Sequence, residues 1–409
     1  MAKSIGTQIK ELIEYNGKIT FAEFMNVVLF SSPYGYYYSG QNIGQHDYFT
    51  SPTAHPLFGA LIAVQLKQIW EIMDKPKPFY VIEFGAGEGI LGKDIVKYSK
   101  SLGEKFADYI SYVSLDYQPS VIPFSGIDFV KSSGIPFRDV EGCFISNELF
   151  DSFPVHRFVK DSGKLKEIYV GLEENNLVEI IDEPSTPMLE MALRELELPE
   201  GFRGEVNLAV DGWLDALSNT LLRGIVLTID YGYLAQDLYS EERSRGTLRC
   251  YYKHTIGSNP YDLLGLQDIT SHVDFTSLIR SGVRKGFSSL GFTTQREFLS
   301  NLGFQKYFEA LRGIEMRQSE RYRNQFGMLE LVKEGHMGDF KVLIQSKGIP
   351  KDTKLLGFDE SGETPKKLIE NTSNLDIPLI AEDHLSVISG RYPYLEVDFE
   401  ELWPFKDRS

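Results

Sequence analysis

The sequence predicts an α/β fold, a doubly wound sheet preceded by N-terminal helices and carrying an inserted α+β lobe. Phe79 to Phe84 is an apolar run that contains one carboxylate, Glu83; three alternate glycines follow at Gly85, Gly87 and Gly89, and a helical pattern opens at Ile90. Three later runs, Tyr109 to Leu115, Gly142 to Asn147 and Gly224 to Asp230, are also short, apolar and polar-tipped. Strands of that kind, separated by helical patterns, build an open sheet whose ligands bind beyond the carboxyl ends of the strands.

In chain order, Ile5, Ile9, Leu12 and Ile13 mark one face of a short helix that Gly17 can stop. Thr20 and Glu23 form a capping box for the next helix, with Phe21, Phe24, Met25 and Val28 as its buried stripe. Ser31 to Asp47 reads as irregular, and a long helix spans about Leu57 to Met73, so residues 1–78 form a helical and lid-like region. Residues 79–349 form the core. Within it, strand-like runs from Val155 to Asp182 and helices at Pro187 to Leu196 and Leu214 to Leu222 mark an inserted lobe at about 155–222; a second excursion spans about 233–335. Phe340 to Ser346 is the last core strand. Residues 350–409 form an acidic extension, thirteen acidic against seven basic residues, read as mobile at first and able to dock later through Tyr392, Trp403 and Phe405.

The glycine turn is built for a nucleotide-type ligand. Unpaired helix-start N–H groups and the local dipole face whatever lies there, and glycine lets the backbone come close. The spacing G-x-G-x-G, with Glu83 two residues ahead, favours S-adenosylmethionine over NAD, whose loop is spaced G-x-G-x-x-G. Asp116, at the end of the second strand, is placed to accept hydrogen bonds from a ribose diol, or to close a turn. Asn147-Glu148-Leu149-Phe150-Asp151-Ser152-Phe153-Pro154 forms a polar strand end that falls beside Gly85 if the strands are neighbours; Asn147 and Asp151 also fit turn capping.

A formal charge of −16 and a pI near 5.0 argue against broad binding to nucleic acid or anionic membrane, and would steer a basic peptide favourably. Cys143 and Cys250 make neither a disulfide framework nor a metal cluster, and the histidines near Asp274 fit no metal spacing. No metal is expected. With no apolar signal run and no stretch of 18 apolar residues, a cytoplasmic protein is the expectation.

Six ordered segments then make the chain similar to a known family: Asp47-Tyr48-Phe49-Thr50-Ser51-Pro52, Glu83-Phe84-Gly85-Ala86-Gly87-Glu88-Gly89, Asn147 to Pro154, Ile229-Asp230-Tyr231-Gly232, Gly246-Thr247-Leu248-Arg249 and Asp268 to Phe275. The chain resembles the MidA family of class I methyltransferases from near its N-terminus to about Ser346. The resemblance implies a Rossmann-like class I methyltransferase core, S-adenosylmethionine as donor and an accessible protein arginine as acceptor. It places Glu83, Gly85, Gly87, Gly89, Asp116 and Asn147 toward the cofactor and Glu148 and Asp151 at the acceptor. Asp47, Thr50, Ser51, His254, His272 and Asp274 become lid or substrate candidates, each equally able to fill a structural hydrogen-bonding role. Thr53 stands where the family usually has glutamate, and Ala86 where it usually has proline. A small-molecule methyltransferase and a noncatalytic assembly protein that keeps the fold stay open as alternatives, as does a homo-oligomer.

Overall fold

The computed structural model describes residues 4–39, 50–118, 124–252, 255–359, 376–381 and 384. Helix α1 (Ile5–Asn16) starts where the Ser4 hydroxyl accepts the Thr7 N–H, and it buries Ile5, Ile9 and Ile13. Helix α2 (Phe21–Phe30) opens on the Thr20/Glu23 capping box. Helix α3 (Leu57–Ile72) is buried on nearly every side along its first three turns, as its almost continuous apolar sequence requires.

The core then alternates: β1 (Phe79–Phe84), α4 (Ile90–Ser99), β2 (Ile110–Asp116), β3 (Ile127–Lys131) and β4 (Val140–Asn147). The lobe adds β5 (His156–Asp161), β6 (Lys164–Glu173), β7 (Asn176–Asp182) and β8 (Arg203–Val206). The chain returns through α5 (Ala209–Thr220) and β9 (Leu221–Asp230), and ends the core with α6 (Phe275–Arg284), β10 (Ser288–Thr294), α7 (Gln318–Val332) and β11 (Lys341–Lys347).

These strands make a seven-stranded sheet ordered β10-β11-β9-β4-β1-β2-β3. β3, β2, β1, β4 and β9 run parallel, and β11 lies antiparallel between β9 and β10. The chain leaves β1 toward β2 and β3, then crosses back to place β4 on the other side of β1. Their carboxyl ends therefore open a crevice at the switch point, where an open α/β sheet binds its ligand. Gly142 lets β4 approach β1 closely: a Cβ there would lie 2.0 Å from the Tyr80 carbonyl oxygen.

One sheet face packs on α3 and α4, around Leu61, Ile95 and Val81; the other packs on α5 and α6, around Leu214, Leu278 and Phe144. The lobe is a five-stranded antiparallel sheet in which Ile19–Thr20 pairs with β6, so the N-terminal region shares its core. It is dominated by strand, with one short helix, Pro187–Leu193. Beyond β11, Leu355 and Leu356 are buried, and the Gly357 N–H donates to Gln65 on α3 at 2.9 Å. The first residues of the acidic extension, expected to be mobile, are thus docked by an apolar pair and a buried amide. Tyr392, Trp403 and Phe405 lie outside the described residues.

Candidate functional site

A cavity of about 450 Å³ occupies the crevice beyond β1, β2 and β4, roofed by α2 and the short turn Ser51–Ala54. Its floor is the glycine turn. Gly85, Gly87 and Gly89 have φ of 67°, 52° and 70°. Gly87 shows what the residue type does: its N–H donates to Asp116 Oδ2 at 2.9 Å, and a Cβ would meet nothing within 4 Å, pointing into open space. Asp116 Oδ1 accepts the Gln118 N–H at 3.0 Å, so the carboxylate is fixed at the cavity wall with lone pairs to spare.

Glu83 is buried beneath this turn, where the Tyr112 hydroxyl donates to its Oε2 at 2.9 Å. Burial pushes its pKa from 4.5 up to about 8, against the Tyr112 bond and with the Asp116 charge adding to the rise. Asn147 lines the same cavity. Its amide nitrogen donates to Glu148 Oε1 at 3.0 Å, and its Oδ1 is buried with no partner among the described residues.

Glu148 is the bend in the site, a non-glycine residue at φ 52°. That left-handed conformation costs roughly 1–2 kcal/mol, and the hydrogen bond from its N–H to the Ile229 carbonyl, 2.9 Å, helps hold it. Burial raises the carboxyl to about 8; neighbouring Asp151 adds to this, and hydrogen bonds from Asn147 and the Ser51 backbone oppose it. Asp151 is buried, accepts the Tyr231 hydroxyl at 2.5 Å on Oδ2 and leaves Oδ1 without a partner among the described residues. Burial lifts it to about 6, opposed by the Tyr231 bond and by the backbone N–H groups of Ser152 and Asp151.

The turn bearing both acids is organised by Asp230. Its Oδ2 accepts N–H groups from Leu149 at 3.1 Å, Phe150 at 2.9 Å and Asp151 at 3.4 Å, and its Oδ1 accepts that of Tyr231 at 2.9 Å. Burial and the Asp151 and Glu148 charges push its pKa well up, against those backbone bonds. In the sequence Asp230 stands out only as a strand-end acid, with nothing local to mark it as part of the site. The cavity's aromatic walls are equally unmarked in the sequence: Trp213 lies edge-on to Phe84 at 5.1 Å and to Phe153 at 5.6 Å, and Phe30 and Tyr37 also line the cavity.

The lid and substrate candidates divide. Thr50 lines the cavity, and the Ser51 hydroxyl donates to Gln295 at 3.0 Å. Thr53 also lines it, its hydroxyl engaged with the Thr50 backbone. His272 packs against Tyr231 and Tyr233 rather than in the cofactor cavity, and burial, then Arg249 and Arg243, lower its pKa to about 4. Asp274 caps α6, accepting the Ser277 N–H at 3.1 Å. Asp47 and His254 lie outside the described residues. Among the described residues no group of three His, Cys, Asp or Glu side chains could hold a metal, and no helix is long and apolar enough to cross a membrane.

Comparison with known proteins gives this geometry a context. A family model described as "S-adenosyl-L-methionine-dependent methyltransferase" matches residues 61–293, more than half of the chain. The protein named "Protein arginine methyltransferase NDUFAF7, mitochondrial" from Rattus norvegicus is 29% identical over 71% of this chain and 72% of its own length; that from Homo sapiens is 26% identical over 80% and 79%. A Burkholderia thailandensis protein, whose crystal structure holds S-adenosyl-homocysteine, matches with a TM-score of 0.77 and 27% identity over 87% of this chain and 94% of that one.

The rat and human relatives, like that from Drosophila melanogaster, are named mitochondrial, which overturns the expectation of a cytoplasmic protein. The missing apolar run bore only on secretory signals; mitochondrial targeting segments are amphipathic and rich in arginine. S-adenosylmethionine is the cofactor, and the fold is the Rossmann-like class I methyltransferase fold with a β-rich inserted lobe. The chain belongs to the MidA family of S-adenosylmethionine-dependent methyltransferases.

Proposed function

We propose that this enzyme methylates an arginine guanidinium nitrogen in a protein. The observation that carries the reading is the group of buried acids next to the cofactor cavity, Glu148 and Asp151 on a turn held by Asp230. Among the described residues neither Glu148 nor Asp151 makes an ion pair, and a guanidinium would supply the cation. Relatives of matching length are named protein arginine methyltransferases.

The residues present fit the cofactor. Gly87 leaves room for it, Asp116 retains acceptor capacity for a ribose diol, and Oδ1 of Asn147, unpaired among the described residues, is available to a donor. When bound, S-adenosylmethionine supplies an electrophilic methyl on a sulfonium, whose C–S bond breaks as the new N–C bond forms. Gly85, Gly87 and Gly89 would hold its methionine portion, above the buried Glu83–Tyr112 hydrogen bond.

On the acceptor side, arginine stays protonated because its pKa exceeds roughly 12. Glu148 and Asp151 therefore orient the cation by charge-assisted hydrogen bonds and aim one nitrogen at the methyl. The extra proton on the methylated nitrogen leaves during or after transfer, and Glu148, ionised and adjacent, receives it.

Tritium-labelled S-adenosylmethionine incubated with the enzyme and a cell extract, followed by amino-acid analysis of the labelled protein, tests the acceptor. Label in methylarginine is expected. Glu148→Gln should lower turnover by 10²-fold or more while cofactor affinity changes less than threefold. Label confined to small molecules, or an undiminished Glu148→Gln enzyme, would overturn the reading.

A further inference from the structure

Beyond Glu148 the polar groups are arranged for something other than the cofactor. Strand Arg249–Tyr252 lies between Thr255–Gly257 and Asp268–Thr270, with Arg249 opposite Thr270 and Tyr251 opposite Asp268. These four polar side chains share one face, whereas Cys250 and Ile269 turn the other way into the N-terminal core. The polar face meets the turn that bears the acids. Ser271 donates its N–H to the Asp151 carbonyl at 2.9 Å, and Tyr251 feels the charges of Asp151 and Glu148. Tyr37, a wall of the cofactor cavity, donates to both oxygens of Asp268 at 2.8 and 2.9 Å, which sets this face beside that cavity.

Three buried polar atoms here have no partner among the described residues: Oδ1 of Asp151, Oγ1 of Thr270 and Nδ1 of His272. Asp151 is 5% exposed and Thr270 2%. Thr270 and His272 flank Ser271, the residue bonded to Asp151, and the His272 ring stands edge-on to Tyr231, centroids 5.4 Å apart. That same tyrosine fixes the other oxygen of Asp151.

All three atoms can accept. The carboxylate only accepts, the threonine hydroxyl has two lone pairs, and a neutral imidazole has one bare nitrogen. His272 is kept neutral by burial and by the cations that face it, Arg249 and Arg243. A buried acceptor left without a partner is costly, so a group bearing only donors is drawn to such a set. A guanidinium offers five N–H donors in a planar fork and no acceptor.

We infer that Asp151, Thr270 and His272 form the subsite for the guanidinium head of the acceptor, with Tyr231 positioning Asp151. The inference rests on the proposed arginine acceptor and names the residues that read it. In that arrangement Glu148, on the cavity wall, would take the edge of the guanidinium plane nearer the cofactor, and these three the far edge. A lysine ammonium, a point charge with three donors on a tetrahedron, would satisfy this planar set poorly.

Ethylguanidinium titrated into the full-length protein saturated with S-adenosyl-homocysteine, followed by calorimetry, tests the subsite without turnover. Wild type is expected to bind it at least fivefold more tightly than ethylammonium. Thr270→Val and His272→Phe should each weaken ethylguanidinium at least fivefold, with S-adenosyl-homocysteine affinity held within twofold as the check on folding. His272→Asn, which keeps an acceptor, should recover most of the loss. No binding by wild type, or equal binding by both variants, overturns the subsite. Failure of the arginine reaction itself shows separately, as absence of methylarginine in the labelling assay.

Discussion

Glu148 combines a left-handed backbone with a carboxyl pushed up to about 8, and both follow from its place at the end of β4. The backbone bends there to bring the side chain back over the crevice, and the crevice is dry enough to favour the protonated form. A protonated Glu148 cannot grip a guanidinium through both oxygens. The acceptor kcat/KM, which reports ionisations of the free enzyme, should therefore rise about tenfold per pH unit below about 8 and then level, measured as a pH–rate profile. Glu148→Gln should flatten that limb. Stability has the opposite sign. Because the folded value lies above the ordinary 4.5, the contribution is complete at low pH and lost as pH rises through about 8, so the cofactor-free fold weakens where the site becomes competent. Glu148 and Asp151 were legible because they stand in one polar cluster at a strand end. Asp230 was not, because three of the N–H groups it serves are about eighty residues away in sequence, and only the pairing of β9 with β4 joins them.

At the scale of elements, the strand–turn–helix unit from β1 to α4 is readable because every level agrees: apolar strand, glycine turn, helical periodicity. Its consequence is testable at Gly87. A methyl there meets no protein atom and points into the cavity, so Gly87→Ala should cost the fold only about 1–2 kcal/mol for its positive φ. Cofactor affinity should fall at least tenfold, because the methyl stands where the ligand lies. Calorimetric titration beside thermal unfolding separates the two effects. A variant that binds S-adenosylmethionine normally would remove the turn from the cofactor site. Two strands of the seven-stranded sheet escaped the sequence. β3 is five residues with charges at Asp128 and Lys131, and β10 is rich in serine, threonine and glycine; each is an edge strand whose extended form comes from pairing with its neighbour rather than from its own pattern. The join between Ile19–Thr20 and β6 is invisible for a similar reason, two residues paired with a strand about 150 positions away.

The whole molecule adds a field to this local chemistry. The chain carries −16 overall, and within the site Asp116, Asp151 and Asp268 gather near the carboxyl ends of the sheet and the adjoining small sheet, joined by Glu83, Glu148 and Asp230, which burial keeps protonated until the pH rises. Low-dielectric walls concentrate such a field at a crevice, which raises the encounter rate of cations. A basic protein acceptor should feel this before it docks, whereas contacts made after docking lie in the buried part of the site. Salt separates the two, since the Debye length falls to about 10 Å at 0.1 M while buried pairs are screened much less. Between about 20 and 200 mM salt, kcat/KM for an arginine-rich protein acceptor is expected to fall roughly three- to tenfold, with kcat at saturation nearly constant. If kcat fell in parallel, the charge would be acting inside the reacting complex. If neither moved, the acidic surface would have no part in capture, and recognition would rest on the guanidinium subsite and the cavity walls alone.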